Sequence, residues 1–149
     1  MASPIYSSKV LSAAEAQLLT EIGLLACGAR NTPDAKVIFE ALRILRPDGP
    51  GWLIGLAMTR LEAGLPHDAV AVLENNSLLS AADNAEVKVF LAMSLIAAGR
   101  RSESARVLND LLAGDQADTP ARQLARGLLN TYATSHYLIA PIHAELALR

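Results

Sequence analysis

With a single cysteine, Cys27, the chain has no internal disulfide, and a reducing compartment is the simpler expectation. Aromatic residues make up only 4% of the chain and β-branched residues are sparse, which argues against a β-sandwich. Basic charge is not in excess either. A net charge of −2 leaves nothing to neutralise a phosphate backbone, so nucleic acid is not expected as a partner. No apolar run approaches the roughly 18 residues of a membrane helix, so no membrane span is expected. Residues 1–10 lack the apolar stretch of a secretory signal. Together these absences lead to the expectation of a soluble, cytoplasmic protein.

Motifs of catalysis are missing as well. The chain has no glycine-rich phosphate loop, no nucleophile elbow and no paired-carboxylate motif. His67, His136 and His143 are not spaced as metal ligands, and His67 reads as a solvated residue in the first turn of a helix. Cys27 falls near a helix C-terminus, whose negative dipole end raises a thiol pKa, and reads as a packed side chain. No catalytic residue, no metal and no cofactor is expected, and the chain is not expected to be an enzyme.

Alanine and leucine, both strong helix formers, dominate what remains. At 149 residues and 52% hydrophobic, the chain is long enough for one domain that buries about 70% of its unfolded surface. The most informative feature is a repeat. The segment Leu56-Ala57-Met58-Thr59-Arg60-Leu61-Glu62-Ala63-Gly64 returns as Leu91-Ala92-Met93-Ser94-Leu95-Ile96-Ala97-Ala98-Gly99, and a weaker copy begins at Ile22-Gly23-Leu24-Leu25-Ala26-Cys27-Gly28. Self-similarity at about 34 residues marks stacked helical hairpins.

Caps and breakers divide the chain into seven helices. Ser12 with Glu15 forms a capping box for helix one, which ends at Gly28. Thr32-Pro33 opens helix two, which runs to Arg46, and Pro47-Asp48-Gly49-Pro50-Gly51 separates hairpin one from hairpin two. Helix three stops at Gly64. Pro66 opens helix four, which ends near Asn75-Asn76-Ser77. Asp83 with Glu86 caps helix five, which stops at Gly99, and Ser102 caps helix six, to about Ala113. Gly114-Asp115 breaks the chain and Thr119-Pro120 opens helix seven, with Ala121, Leu124, Ala125, Leu128 and Tyr132 at helical spacing. The expected organisation is a loose segment over 1–11, a helical domain over 12–134 and an apolar tail over 135–149. The tail carries Leu138, Ile139, Ile142, Leu146 and Leu148, with Pro141 interrupting it.

The hairpins resemble tetratricopeptide-repeat (TPR) units. The small slots of that family are matched by Gly23, Ala57 and Ala92 in the first helices and by Ala35 and Ala69 in the second, with either Ser104 or Ala105 in the third unit. The large slots hold Phe39, Leu73 and Leu108, and Pro47 ends a unit. The usual aromatic and tyrosine positions hold Leu19, Leu53, Lys88 and Ala26, Arg60, Leu95, so the resemblance is to a degenerate TPR over about Gln17 to Gly114. It implies an all-α solenoid of about three hairpins, with helix seven as the cap that covers the last open face.

In such folds the concave face comes from the first helix of each hairpin. The register places Gln17, Thr20, Leu24 and Cys27 there, then Gly51, Ile54, Met58 and Leu61, then Glu86, Val89, Met93 and Ile96. Most are apolar: Leu24, Cys27, Ile54, Met58, Leu61, Val89, Met93 and Ile96 form the expected partner-binding groove. An apolar groove needs a cover, either an amphipathic helix from another protein or, in cis, helix seven or the tail.

The stretch Pro33-Asp34-Ala35-Lys36-Val37-Ile38-Phe39-Glu40-Ala41-Leu42-Arg43-Ile44-Leu45-Arg46-Pro47, with His67-Asp68-Ala69-Val70-Ala71-Val72-Leu73, is similar to segments of the small Hrp-type and needle-chaperone TPR proteins of bacterial type III secretion. That resemblance implies a cytoplasmic bacterial chaperone, tied to protein transport and virulence, that shelters an aggregation-prone helical subunit. The partner would be a secretion needle protein or another export subunit, alongside a co-chaperone or a second copy of the chain. The alternative is a self-associating TPR scaffold or regulatory adaptor with no chaperone role.

Overall fold

The computed structural model describes residues 11–76, 84–113 and 117–132. The expected break at Ser77–Asp83, the Asp83 cap, the Gly114-Asp115 break and the 135–149 tail lie outside them. Every regular element among the described residues is helical: α1 (Ala13–Gly28), α2 (Thr32–Leu45), α3 (Gly51–Glu62), α4 (Pro66–Glu74), α5 (Ala85–Ala97), α6 (Arg101–Leu112) and α7 over residues 120–132. The chain is all-α.

Each helix packs against the next in sequence, and α1, α3 and α5 also touch one another in that order. The first helices therefore form one layer, and α2, α4 and α6 lie against it. Three core clusters follow the hairpins. Cys27, Ala35, Phe39 and Leu42 fill the first, Leu53, Ala57, Ala69, Val70, Leu73, Val87 and Leu91 the second, and Val89, Ala92, Leu108, Leu111, Ala121 and Ala125 the third. Each fully buried leucine or phenylalanine is worth about 1.5–3 kcal/mol of transfer free energy. The large slots Phe39, Leu73 and Leu108 are all buried, as are the small slots Gly23, Ala57, Ala92, Ala35 and Ala69. In the third unit Ser104, not Ala105, takes the small slot. It is buried, and its hydroxyl donates to the Ala92 carbonyl at 2.9 Å.

Backbone geometry repeats with the sequence. Asn31 N–H donates to the Ala26 carbonyl, Leu65 to Arg60 and Arg100 to Leu95, at 2.8, 2.9 and 2.8 Å. With the bonds from Arg30, Gly64 and Gly99 to the carbonyls three residues back, on Cys27, Leu61 and Ile96, these are three Schellman turns at equivalent positions. The left-handed residue of each turn has φ of 60° at Arg30, 73° at Gly64 and 78° at Gly99. Gly28 is thus the last helical residue of α1, and the left-handed position two residues on falls on an arginine.

The same turns correct two expected caps. Because each turn delivers its last residue directly into the next helix, the N-caps are Asn31, Leu65 and Arg100, none with a side-chain cap bond. Thr32 and Ser102 lie inside α2 and α6. The Ser12–Glu15 capping box forms as expected, with bonds of 2.7 and 3.2 Å. The Ser12 backbone N–H first, and then its side chain, hold the Glu15 carboxyl below its ordinary pKa. Thr119 accepts from the Arg122 N–H at 3.4 Å and opens α7.

Two arginines do structural work that solvated surface residues would not. Arg100 grips Glu103 through two bonds of 2.8 and 2.6 Å and reaches Glu74 of α4 at 3.5 Å, tying hairpin two to hairpin three. Arg122 is buried in α7 and donates to the Leu111 and Leu112 carbonyls at 2.7 and 3.0 Å, satisfying the open end of α6.

Candidate functional site

The N-terminal halves of the first helices enclose a cleft of about 550 Å³. Ala13, Ala16, Gln17 and Thr20 come from α1, Gly51, Trp52 and Ile54 from α3, and Glu86 from α5. Leu42, Arg46 and the Gly49-Pro50 turn close one side. The concave register read from the repeat, Gln17, Thr20, Gly51, Ile54 and Glu86, therefore converges in one place. Helix α1 approaches α3 closely here: a Cβ on Gly51 would stand 2.6 Å from the Thr20 hydroxyl oxygen. That approach forms the floor of the cleft.

Walls of the cleft are largely apolar, with polar groups at defined points. Trp52 is oriented by its indole N–H, which donates to the Pro47 carbonyl at 3.1 Å. Arg46 donates from Nη1 to the Leu11 carbonyl at 3.1 Å, and its buried Nε has no acceptor among the described residues. The α3 N-terminus opens into the cleft without a side-chain cap and without an acidic residue in its first turn. The positive end of the α3 dipole and Arg46 favour an acceptor or a negative group on that side. Glu86, exposed on α5, favours a donor on the other.

The eight expected groove residues do not lie on one open surface. Cys27, Ile54 and Val89 are buried in the body of the chain, Cys27 at 1% exposure. Of these three only Ile54 lines the cleft. Met58 is half-buried between the first and second core clusters, Leu61 packs on the second and Met93 on the third. Ile96 lines a small hollow with Leu129 and Tyr132 of α7. The third-hairpin end of the stripe is therefore covered in cis by α7. Leu24 sits in a separate shallow hollow at the far end of α1, with Glu21, Leu25, Gly28 and Ala29.

The Cys27 thiol is pushed above its ordinary pKa, first by burial and then by the Glu62 carboxylate. Both effects disfavour its thiolate form. No group of three or more His, Cys, Asp or Glu side chains that could hold a metal occurs among the described residues, and no described helix is long and apolar enough to cross a membrane.

Sequence reasoning missed Arg46, Trp52 and Leu42 as cleft residues. All three come from the end of α2 and the start of α3, where the Pro47–Gly51 turn folds back, and the repeat pattern says nothing of that turn. No family model, no curated protein and no solved structure matches the chain.

Proposed function

We propose that the protein binds another protein, holding an amphipathic helix in the cleft formed by α1, α3 and α5. The observation that carries this reading is the convergence of all three first helices on one largely apolar cleft with the Arg46 guanidinium at its wall. An apolar cleft of this kind fits a helix face, and the Arg46 guanidinium at its wall favours a segment that carries an acceptor. Its most concrete form is a chaperone or assembly factor of a bacterial type III secretion system. It rests on the sequence resemblance of the Pro33–Pro47 segment and on the hairpin repeat, and it makes the chain a non-enzymatic, cytoplasmic holder of an aggregation-prone helical subunit. Burying the partner's apolar face in the cleft removes it from water and blocks premature assembly.

Variants that fill the cleft without touching the core test this. Ala13 and Glu86 are exposed and face the cleft from opposite sides. Wild-type protein should capture a helical export subunit from its native cell. Ala13→Trp with Glu86→Trp should lose that capture while keeping its melting temperature. Undiminished capture by the double variant, or capture of no secretion component by the wild type, counts against the reading. Met58→Glu is unsuitable here, because a charge between two core clusters unfolds the chain before it reports on binding.

A further inference from the structure

Leu18, Ile22 and Leu25 of α1 are 57%, 43% and 74% exposed. They lie at i, i+4 and i+7, on one face of the helix. The repeat register says what this face is for. Shifted to α3, the positions are Trp52, Leu56 and Thr59. Shifted again to α5, they are Val87, Leu91 and Ser94. Trp52 and Leu56 pack on the cluster that holds Phe39 and Leu42 of α2. Val87 and Leu91 pack with Val70 and Leu73 of α4. Each first helix thus receives, on this face, the second helix of the hairpin before it. On α1 the same apolar face is present and no described element covers it.

We propose that this face of α1 is a second docking surface, separate from the cleft, and that it takes an amphipathic helix of a partner protein carrying basic residues beside its apolar stripe. The chain shows twice what such an occupant looks like, in α2 on α3 and α4 on α5. It presents a small residue and a large one a turn apart, as Ala35 with Phe39 and Ala69 with Leu73 do.

Charge selects among occupants. The position that is Gly55 in α3, against which the Phe39 ring lies, is Glu21 in α1. Glu15 and Glu21 are the charged residues of α1, and no lysine or arginine lies between Ala13 and Gly28. A second copy paired α1 to α1 would set acidic residues against acidic ones, whereas a helix whose lysines or arginines flank its apolar stripe can reach the exposed Glu21. The described chain ends on α7, packed on α5 and α6 at the opposite end of the layer, away from this face.

The test uses the full chain and a fluorescent helical peptide. Its leucines stand at i, i+4, i+7 and i+11 with flanking lysines, and a matched control replaces lysine by glutamate. The lysine peptide should bind. Ile22→Glu should weaken it at least tenfold with helicity and melting temperature unchanged, since Ile22 belongs to none of the three core clusters. Glu21→Lys should reverse the preference toward the glutamate peptide. Ala13→Trp with Glu86→Trp, which blocks the cleft, should leave this binding intact, so the two surfaces stand or fall separately. Equal binding of both peptides, or binding unaffected by Ile22→Glu, overturns the proposal. So does a dimer in sedimentation equilibrium that Ile22→Glu splits, which assigns the face to a second copy. Tighter peptide binding by full-length Leu146→Glu with Leu148→Glu also overturns it, assigning the face to the chain's own tail.

Discussion

Phe39 is the residue on which the first two hairpins turn. Its ring is fully buried between two glycines on different helices. A Cβ on Gly23 would meet the ring at 2.6 Å, and one on Gly55 at 2.1 Å. Gly23 was legible in the sequence because the repeat places Ala57 and Ala92 in the same slot. Gly55 was not, because its equivalents are Glu21 and Phe90 and no pattern of small residues marks it. It is small for the sake of a contact between hairpins, and a repeat read within hairpins does not reveal that. Gly55→Ala should therefore destabilise the protein by about 1–3 kcal/mol through overpacking, despite alanine's higher helix propensity. Adding Phe39→Leu to Gly55→Ala should cost less than the sum of the two changes, because the shorter side chain vacates the contested space. Urea midpoints of the two single variants and the double variant check this, and strict additivity would show that the ring does not make the contact.

At the scale of elements, the hairpins were readable because one turn geometry occurs three times. Gly64 and Gly99 announce it, while in the first copy α1 ends at Gly28 as expected and Arg30, two residues on, adopts the same left-handed backbone without glycine's freedom. Caps were less legible than helices. A Schellman turn that feeds straight into the next helix leaves no room for a separate capping residue, so Thr32 and Ser102 fall one or two positions inside. Least legible was Arg122. An arginine at that place reads as solvated surface, yet α7 can dock only if the open carbonyls of α6 find donors, and this side chain provides them. Arg122→Ala should cost about 2–3 kcal/mol, the worth of charged hydrogen bonds to buried carbonyls left without a partner. Arg122→Lys should recover only part of it, since an ammonium cannot reproduce the planar fork that spans two carbonyls. Chemical denaturation measures both, and an Arg122→Ala midpoint equal to the parent's would mean that α7 is held by Ala121 and Ala125 alone.

For the whole molecule, the consequential asymmetry is between α5 and α1. Both helices are apolar on nearly every side, and such a helix is ordinarily enclosed. Helix α5 is: α3, α4, α6 and α7 surround it, and only Glu86 and Ala97 are exposed along its length. Helix α1 has α2 and α3 as neighbours and leaves Leu18, Ile22 and Leu25 in water. Helix α1 packs on two helices where α5 packs on four, so the end with fewer packed faces opens first. Amide hydrogen exchange should accordingly be slowest in α5, intermediate in α3 and fastest in α1. Occupation of the α1 face by the lysine-flanked helical peptide should then slow α1 selectively, while filling the cleft with Ala13→Trp and Glu86→Trp should not. Exchange read by mass spectrometry over the three helices decides the matter. If α1 amides are as slow as those of α5 in the free protein, the exposed face is not the weak end of the stack, and its apolar residues need another explanation than a missing neighbour.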